Sequence, residues 1–287
     1  MNFYLSAILL GLGFASLALG IFITMRIFNI PDITTDGSFT LGGAVTAVLL
    51  SNHTAVPVVL PVVFICGAAA GSITGFIHTK LKVNALLAGI LVMTALYSVN
   101  LSIMGRSNIP LLNVSTVFNL VPFIQDSTSQ QVIVLSSFVV LLWGFVSWLL
   151  KTDFGLAMRA TGNNENMIRS LGVNSDRMKM TGLALANGLI AVSGFLITQI
   201  QGFADINMGI GIVILGLGSV MIGEIFLHAI RLTNITWHLL GVISGSIVFR
   251  LILAFSLSIG IDALYLKLVV AVFVLIVVSV PNLRRAS

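Results

Sequence analysis

"NIPDITTDGSFTLGG", residues 29–43, separates two apolar runs in a chain of 287 residues that is 57% hydrophobic and 8% charged. Asp32 and Asp36, two of only nine acidic residues, fall inside it beside one proline and three glycines. Lipid offers no partners to backbone amides, so a polar break between apolar segments must be satisfied inside the protein. Asp36 is read as the cap of a short helix that begins at about residue 38. A second break, "GFADINMGIGIVILGLG" at 202–218, carries Asp205 and also opens a short apolar segment. Paired short, interrupted segments point to a transport pathway, with Asp32 and Asp205 at its two mouths.

Composition sets the class around these breaks. A mean hydropathy of +1.11 and 27 glycines describe more apolar sequence than one globular core could bury. The chain reads as an all-α polytopic membrane protein. Spans are expected at about 3–25, 38–51, 55–79, 84–104, 131–150, 179–201, 208–223, 233–257 and 262–281, which makes nine. The opening "MNFYLSAILLGLGFASLALGIFITM" lacks a basic leader and reads as the first span rather than a cleaved signal. The single cysteine, Cys66, excludes a disulfide framework and lies in an apolar run.

Charge orients the spans. The net charge of +5 is spread through short connections without interleaved aromatics, so nucleic acid is not an expected partner. Placing the carboxyl terminus inside puts Arg26, Lys80, Lys82, Lys151, Arg159, Arg169, Arg177, Lys179, Arg231, Arg284 and Arg285 in the cytoplasm, 11 of 14 basic residues. The amino terminus is then outside.

The two breaks belong to a longer pattern. "GIFIT" from Gly20 recurs as "GFLIT" from Gly194, and "GAAAGSI" from Gly67 recurs as "GVISGSI" from Gly241, each 174 residues on. The "DI" at Asp32 recurs at Asp205, 173 residues on. Corresponding spans stand five apart, so they cross the membrane in opposite senses. The expected architecture is one transmembrane domain over 1–287, built as an inverted repeat of 1–104 and 179–281. A linking span at 131–150 and a cytoplasmic loop at 151–178 join the halves. Gly67, Gly71 and Gly75, like Gly241 and Gly245, are spaced by four on one helix face and mark close packing, either within the subunit or between subunits.

Loop 151–178, "KTDFGLAMRATGNNENMIRSLGVNSDRM", is the longest hydrophilic stretch. Asp153 is expected to cap a short helix through Met158, and Asn163 a second one with Met167, Ile168 and Leu171 on one apolar face. Gly172 supplies the left-handed turn that ends it, with Val173 folding back. Asn174 or Ser175 then caps the next span. An amphipathic helix outside the bilayer wants a hydrophobic groove in a partner, or else lies on the membrane surface.

Here the chain resembles a known family. Gly155, Arg159, Ala160, Gly162, Leu171, Gly172 and Val173 stand where the cytoplasmic loop of bacterial ABC importer permeases of the branched-chain amino acid and ribose class has Gly, Arg-Ala-x-Gly and Leu-Gly-Ile/Val. "PDITTDGS" is similar to the family's Asp-Leu-Ser-x-Gly-Ser, with one residue more, and Met167 stands where the family commonly has alanine. The resemblance covers nearly the whole chain and is nearest to a branch associated with amino acids, including aromatic ones. It implies that Arg159, Gly162, Asn163, Asn164, Met167, Ile168, Leu171, Gly172 and Val173 form a coupling helix against a cytoplasmic ATPase. It also implies an extracytoplasmic substrate-binding protein, a second permease subunit, either a different chain or, as favoured here, an identical one, and a multi-pass location in the bacterial cytoplasmic membrane.

Arg250 lies within the eighth span, and an intramembrane charge is a functional hypothesis in itself. Either it pairs with Asp205 or Asp262, or it meets solute or the binding protein. No G-x-x-x-x-G-K-[ST], H-E-x-x-H or G-x-S-x-G occurs, and the four histidines share no ligand spacing. The chain is therefore expected to be no enzyme and to hold no metal or cofactor, with ATP and magnesium on the partner ATPase. Two rivals remain: an ion-coupled secondary transporter, which also uses inverted repeats, and a membrane-embedded enzyme or sensor.

Overall fold

The structure, a computed structural model, describes residues 3–112, 114–120, 127–230 and 234–286. Arg231, one of the eleven basic residues placed inside, lies outside the described residues. The chain opens with α1 (Phe3–Gly13) and α2 (Ala15–Ile21), which continue through a π-helical turn (Phe22–Ile27) as one 25-residue apolar rod. Then come α3 (Thr34–Ser51), α4 (Val56–Lys80), α5 (Ala85–Met104), α6 (Ser127–Lys151), α7 (Asp153–Asn163), α8 (Glu165–Ser170), α9 (Ser175–Gln201), α10 (Ile212–Ile230), α11 (Ile235–Ser258) and α12 (Leu266–Ala286).

Six helices are long and apolar enough to cross a membrane: the α1–α2 rod, α4, α5, α6, α9 and α11. The three remaining expected spans correspond to α3, α10 and α12. The short segments differ in extent from expectation. The 38–51 segment is a helix over Thr34–Ser51, because Asp36 sits in its first turn instead of before it. The 208–223 segment begins only at Ile212 and runs to Ile230. The break before α10 also holds a small ladder, with β1 (Asn108–Pro110) antiparallel to β2 (Phe203–Asp205) and Asn108 opposite Asp205.

Side-chain caps set several boundaries. Asn84 accepts from the Leu86 amide at 2.9 Å to open α5, and Asn174 accepts from the Arg177 amide at 3.0 Å to open α9. Gly202, at φ +77°, ends α9 in the left-handed conformation that glycine adopts without strain.

Two helices form the core. In the α1–α2 rod 83% of the apolar window is buried and in α9 78%, against 33% in α4 and 28% in α5 and α6, so the outer helices keep most of their apolar surface outside the subunit's own packing. Between apolar helices in lipid, association rests on close packing rather than on hydrophobic exclusion. Backbone therefore meets backbone at α9. A side chain at Gly67 would lie 2.5 Å from Ala191 Cβ, one at Gly71 would collide with the Leu183 carbonyl, and one at Gly75 would lie 2.8 Å from Met180 Cα. Gly42 of α3 faces Ala191, and a side chain at Gly20 of α2 would lie 2.6 Å from the Ala186 carbonyl oxygen. Gly241 and Gly245 instead face Gly223 and Ser219 of α10. All five glycines singled out from the sequence thus pack within the subunit.

Hydroxyls tie the two core helices together. Ser16 donates to the Leu189 carbonyl at 2.6 Å, and Ser193 donates to the Gly13 carbonyl at 2.8 Å. Each half also packs on the core helix of the other: α3 and α4 on α9, and α10 and α11 on the α1–α2 rod.

Candidate functional site

The first break is a buried polar knot. Asp32 is 1% exposed, so it does not open to either side as a pathway mouth. Its carboxylate accepts from the Thr34 amide at 2.9 Å and from Asn187 Nδ2 at 2.7 Å. Asn187, fully buried in α9, accepts in turn from Ser38 Oγ at 2.7 Å. Thr34 and Thr74 share a hydroxyl hydrogen bond of 2.7 Å, which brings α4 into the same knot.

Asp36 does something other than cap its own helix. Its two carboxylate oxygens accept from the Gly211 amide at 2.9 Å and the Val213 amide at 3.0 Å. It therefore binds the amino end of α10, whose unpaired amides and positive dipole end favour a carboxylate. The first break holds the second in place. Asp205, at the second break, accepts from the Asn207 amide at 2.8 Å and from Asn108 Nδ2 at 3.3 Å.

Arg250 corrects the expectation of an ion pair. Among the described residues it pairs with neither Asp205 nor Asp262; its guanidinium carbon lies 4.0 Å from the centre of the Phe14 ring. Phe14 is itself stacked on Phe39, with centroids 5.7 Å apart and planes at 13°. A desolvated cation–π contact contributes about 2 kcal/mol, whereas taking an ion out of water costs several. Arg250 Nε is buried without a hydrogen-bond partner. The residue lines a cavity of about 300 Å³ together with Phe14, Phe39, Gln201, Asp205 and Asn207.

A different ion pair is present. Arg26, at the end of the first rod, meets Glu224 of α10 at 2.5 Å. Reading the second short segment as ending at 223 left Glu224 out of consideration. Asn187 was also missed, although a lone asparagine in "LALANGLIAV" is a signal of the kind that marks intramembrane polar sites.

The loop differs from expectation in its caps. Thr152, not Asp153, opens α7 by accepting from the Gly155 amide at 3.3 Å, and α7 runs on to Asn163 instead of stopping at Met158. Asn164, not Asn163, opens α8 by accepting from the Met167 amide at 3.0 Å. The difference is one of register, since each true cap lies a single residue from another competent one. Gly172 takes φ +83°, and Val173 folds back to donate to the Ile168 carbonyl at 3.2 Å.

The nine loop residues divide by direction. Ile168 is 5% exposed and turns inward, while Met167 and Leu171, at 54% and 68%, face outward one helical turn apart. Asn163, Asn164 and Gly172 are also exposed. Gly162 packs against the backbone of Ile27 and Phe28, and its carbonyl accepts from Asn29 Nδ2 at 3.3 Å. Arg159 lines a cavity of about 520 Å³ with Arg26, Asn29 and Asn163, and its Nε is buried without a partner.

Charges lock α8 onto α9. Glu165 accepts from Lys179 at 2.6 Å, Arg169 at 2.7 Å and Ser175 at 3.0 Å, and Arg169 also reaches Asp176 at 3.1 Å. The Lys179 hydrogen bond, aided by Ser175 and Arg169 and opposed in part by desolvation, holds the Glu165 carboxyl below its usual range. A carboxyl lowered by folding adds stability above its unfolded value and loses it as pH falls through the folded one. Glu165→Gln is therefore expected to lower the melting temperature at pH 7, with the gap to wild type narrowing as pH falls below the ordinary carboxylate range; paired thermal scans from neutral to acid pH check it.

The fold and its breaks define a multi-pass helical membrane protein whose two halves clasp each other's core helix, with a folded loop of helices between them. Residues 3–279 match the family model described as the permease component of branched-chain amino acid transport systems, and the chain belongs to that family. It is thus a permease of the ABC class that imports amino acids and sugars.

Among its relatives, the tyrosine transport system permease protein of Clostridioides difficile is 37% identical over 268 residues, 93% of this chain and 88% of that one. The probable branched-chain amino acid transport permease LivH of Methanocaldococcus jannaschii is 25% identical over 277 residues, 91% and 85% of the two chains. The ribose import permease RbsC of Haemophilus influenzae is 26% identical over 215 residues, 73% and 64%. No solved structure matches the chain significantly.

Proposed function

We propose that this chain is the membrane-spanning subunit of an ATP-binding cassette importer whose solute is an amino acid. The similarity to permeases named for tyrosine and branched-chain amino acid transport supports that solute class. In this reading nine segments cross the cytoplasmic membrane as an inverted repeat, with the amino terminus outside and the carboxyl terminus inside. Two copies of the chain frame the pathway, and an exported binding protein delivers solute to the outer face. The family match does not favour an ion-coupled secondary transporter.

The coupling role rests on one observation above the others: Met167 and Leu171 stand exposed side by side on a short helix that is capped, turned and charge-locked in place. Two apolar side chains held out into water on a rigid mount suit a hydrophobic groove in a partner ATPase, where ATP and magnesium would reside. Closure of two such ATPases would move α7 and α8 as one lever. Through Gly162 and Asn29 that lever bears on the segment joining the first rod to α3.

Met167→Asp with Leu171→Asp tests this. Both positions are exposed, so the permease should keep its melting temperature while its affinity for the ATPase falls by roughly a hundredfold or more, from the loss of two buried apolar contacts. Co-purification and stimulated ATP hydrolysis are the readouts. Undiminished co-purification in the double variant would exclude α8 as the docking element.

A further inference from the structure

Arg250 carries a permanent charge, points into a cavity rather than at an acid, and has a buried Nε with no partner. A guanidinium presents parallel N–H donors in a planar fork, and a carboxylate is the group that matches it. The same cavity is lined by Asp205, whose carboxylate accepts two hydrogen bonds, from the Asn207 amide and Asn108 Nδ2. A carboxylate has about four acceptor positions, so Asp205 retains capacity for a cationic donor. The rest of the cavity wall is mainly apolar, with Phe39, Phe203, Met208 and Ile212 beside Phe14, whose ring the Arg250 guanidinium covers. At about 300 Å³ the space is at the lower end of small-molecule sites and suits a single amino acid.

We propose that this cavity is a solute subsite within the permease: Arg250 takes the α-carboxylate, Asp205 takes the α-ammonium, and the apolar wall that includes Phe203, Met208 and Ile212 takes an aromatic or large apolar side chain. The inference rests on the amino acid reading above and adds the site and the side-chain class. Opposite charges lining one small cavity select a zwitterion. An amine without the carboxylate leaves Arg250 unmatched, and an acid without the amine leaves Asp205 without its cationic partner. The binding protein need not be the only element that reads the solute.

The permease with its ATPase, purified without the binding protein, is titrated with L-phenylalanine, phenethylamine and 3-phenylpropionate and followed by thermal shift. L-phenylalanine should stabilise the complex, and neither half-ligand should do so at the same concentration. Arg250→Gln and, separately, Asp205→Asn should raise the half-saturating L-phenylalanine concentration by roughly tenfold or more, the effect of losing one charge-assisted contact. Arg250→Lys should fall between. Size-exclusion profiles verify folding, and should Arg250→Gln fail to fold, Asp205→Asn, at the loop ladder, decides the matter.

Transport in proteoliposomes with the binding protein separates the two levels. Wild type that imports L-phenylalanine or L-leucine while both variants bind and import with unchanged kcat/KM overturns the subsite and leaves the amino acid reading intact. Import confined to small or charged amino acids overturns the subsite as well. A wild-type transporter that imports no amino acid overturns both.

Discussion

Asn187→Leu is expected to lower the stability of the detergent-solubilised permease by about 3 kcal/mol or more, the range found when one partner of a buried charged contact is removed. Asn187 donates to Asp32 at 2.7 Å and accepts from Ser38 at 2.7 Å, with all three side chains buried. Leucine fills a similar volume but leaves the Asp32 carboxylate with Thr34 alone and takes away the acceptor of the Ser38 hydroxyl. Removing both ends of such a contact costs less than the sum of its parts. The variant carrying both Asp32→Ala and Asn187→Leu should accordingly be less destabilised than the two single changes added together. Apparent melting temperatures of the four proteins measure the coupling. Strict additivity would show that the knot at the first break is incidental to its shape.

Gly162→Val is expected to abolish transport, with at least roughly a hundredfold loss in rate, while ATPase binding through Met167 and Leu171 persists. Any Cβ at 162 would run into the Ile27 carbonyl oxygen and approach Phe28 Cα to 2.9 Å. Both obstacles are backbone, so neither can swing aside, and α7 must lift from the end of the first rod. The Asn29 hydrogen bond to the Gly162 carbonyl would part with it. A lever detached at its inner end still docks but does not push. The signature is ATP hydrolysis that no longer responds to solute-loaded binding protein, together with near-normal co-purification. Full transport by the valine variant would remove Gly162 from the coupling path.

The elements differ in how far the primary structure announces them. The long apolar runs are legible because a 20-residue hydrophobic stretch has one stable form in lipid, and six such helices stand where the runs predict them. The four-spaced glycines are legible for a similar reason, since small residues on one helix face serve close approach whatever the partner. Which helix they meet is not written in the spacing. Gly71 faces α9 whereas its counterpart in the near-repeat, Gly245, faces α10.

The loop was readable in outline and missed by one residue at each cap. Thr152 and Asp153, like Asn163 and Asn164, are adjacent residues with nearly equal capping chemistry, and only the packing of α7 against the membrane helices chooses between them. The same holds for the apolar face: Met167, Ile168 and Leu171 share a pattern, yet tertiary contact buries Ile168 and leaves the other two outside.

By itself, then, the order of residues determined a polytopic helical chain, two polar breaks about 173 residues apart and a capped hydrophilic loop of helices, because each depends on local composition and period. Tertiary structure decided the partners of the polar groups. It turned Asp36 from a cap on its own helix into a clamp on α10, sealed Asp32 behind Asn187, and set Arg250 over Phe14 at the edge of a cavity instead of against an acid. The physical reason is common to all three. The groups that the fold brings to these buried charges, donors within about 3 Å of Asp32 and Asp36 and a ring 4.0 Å from Arg250, come from segments 150 or more residues away, where no local pattern reaches.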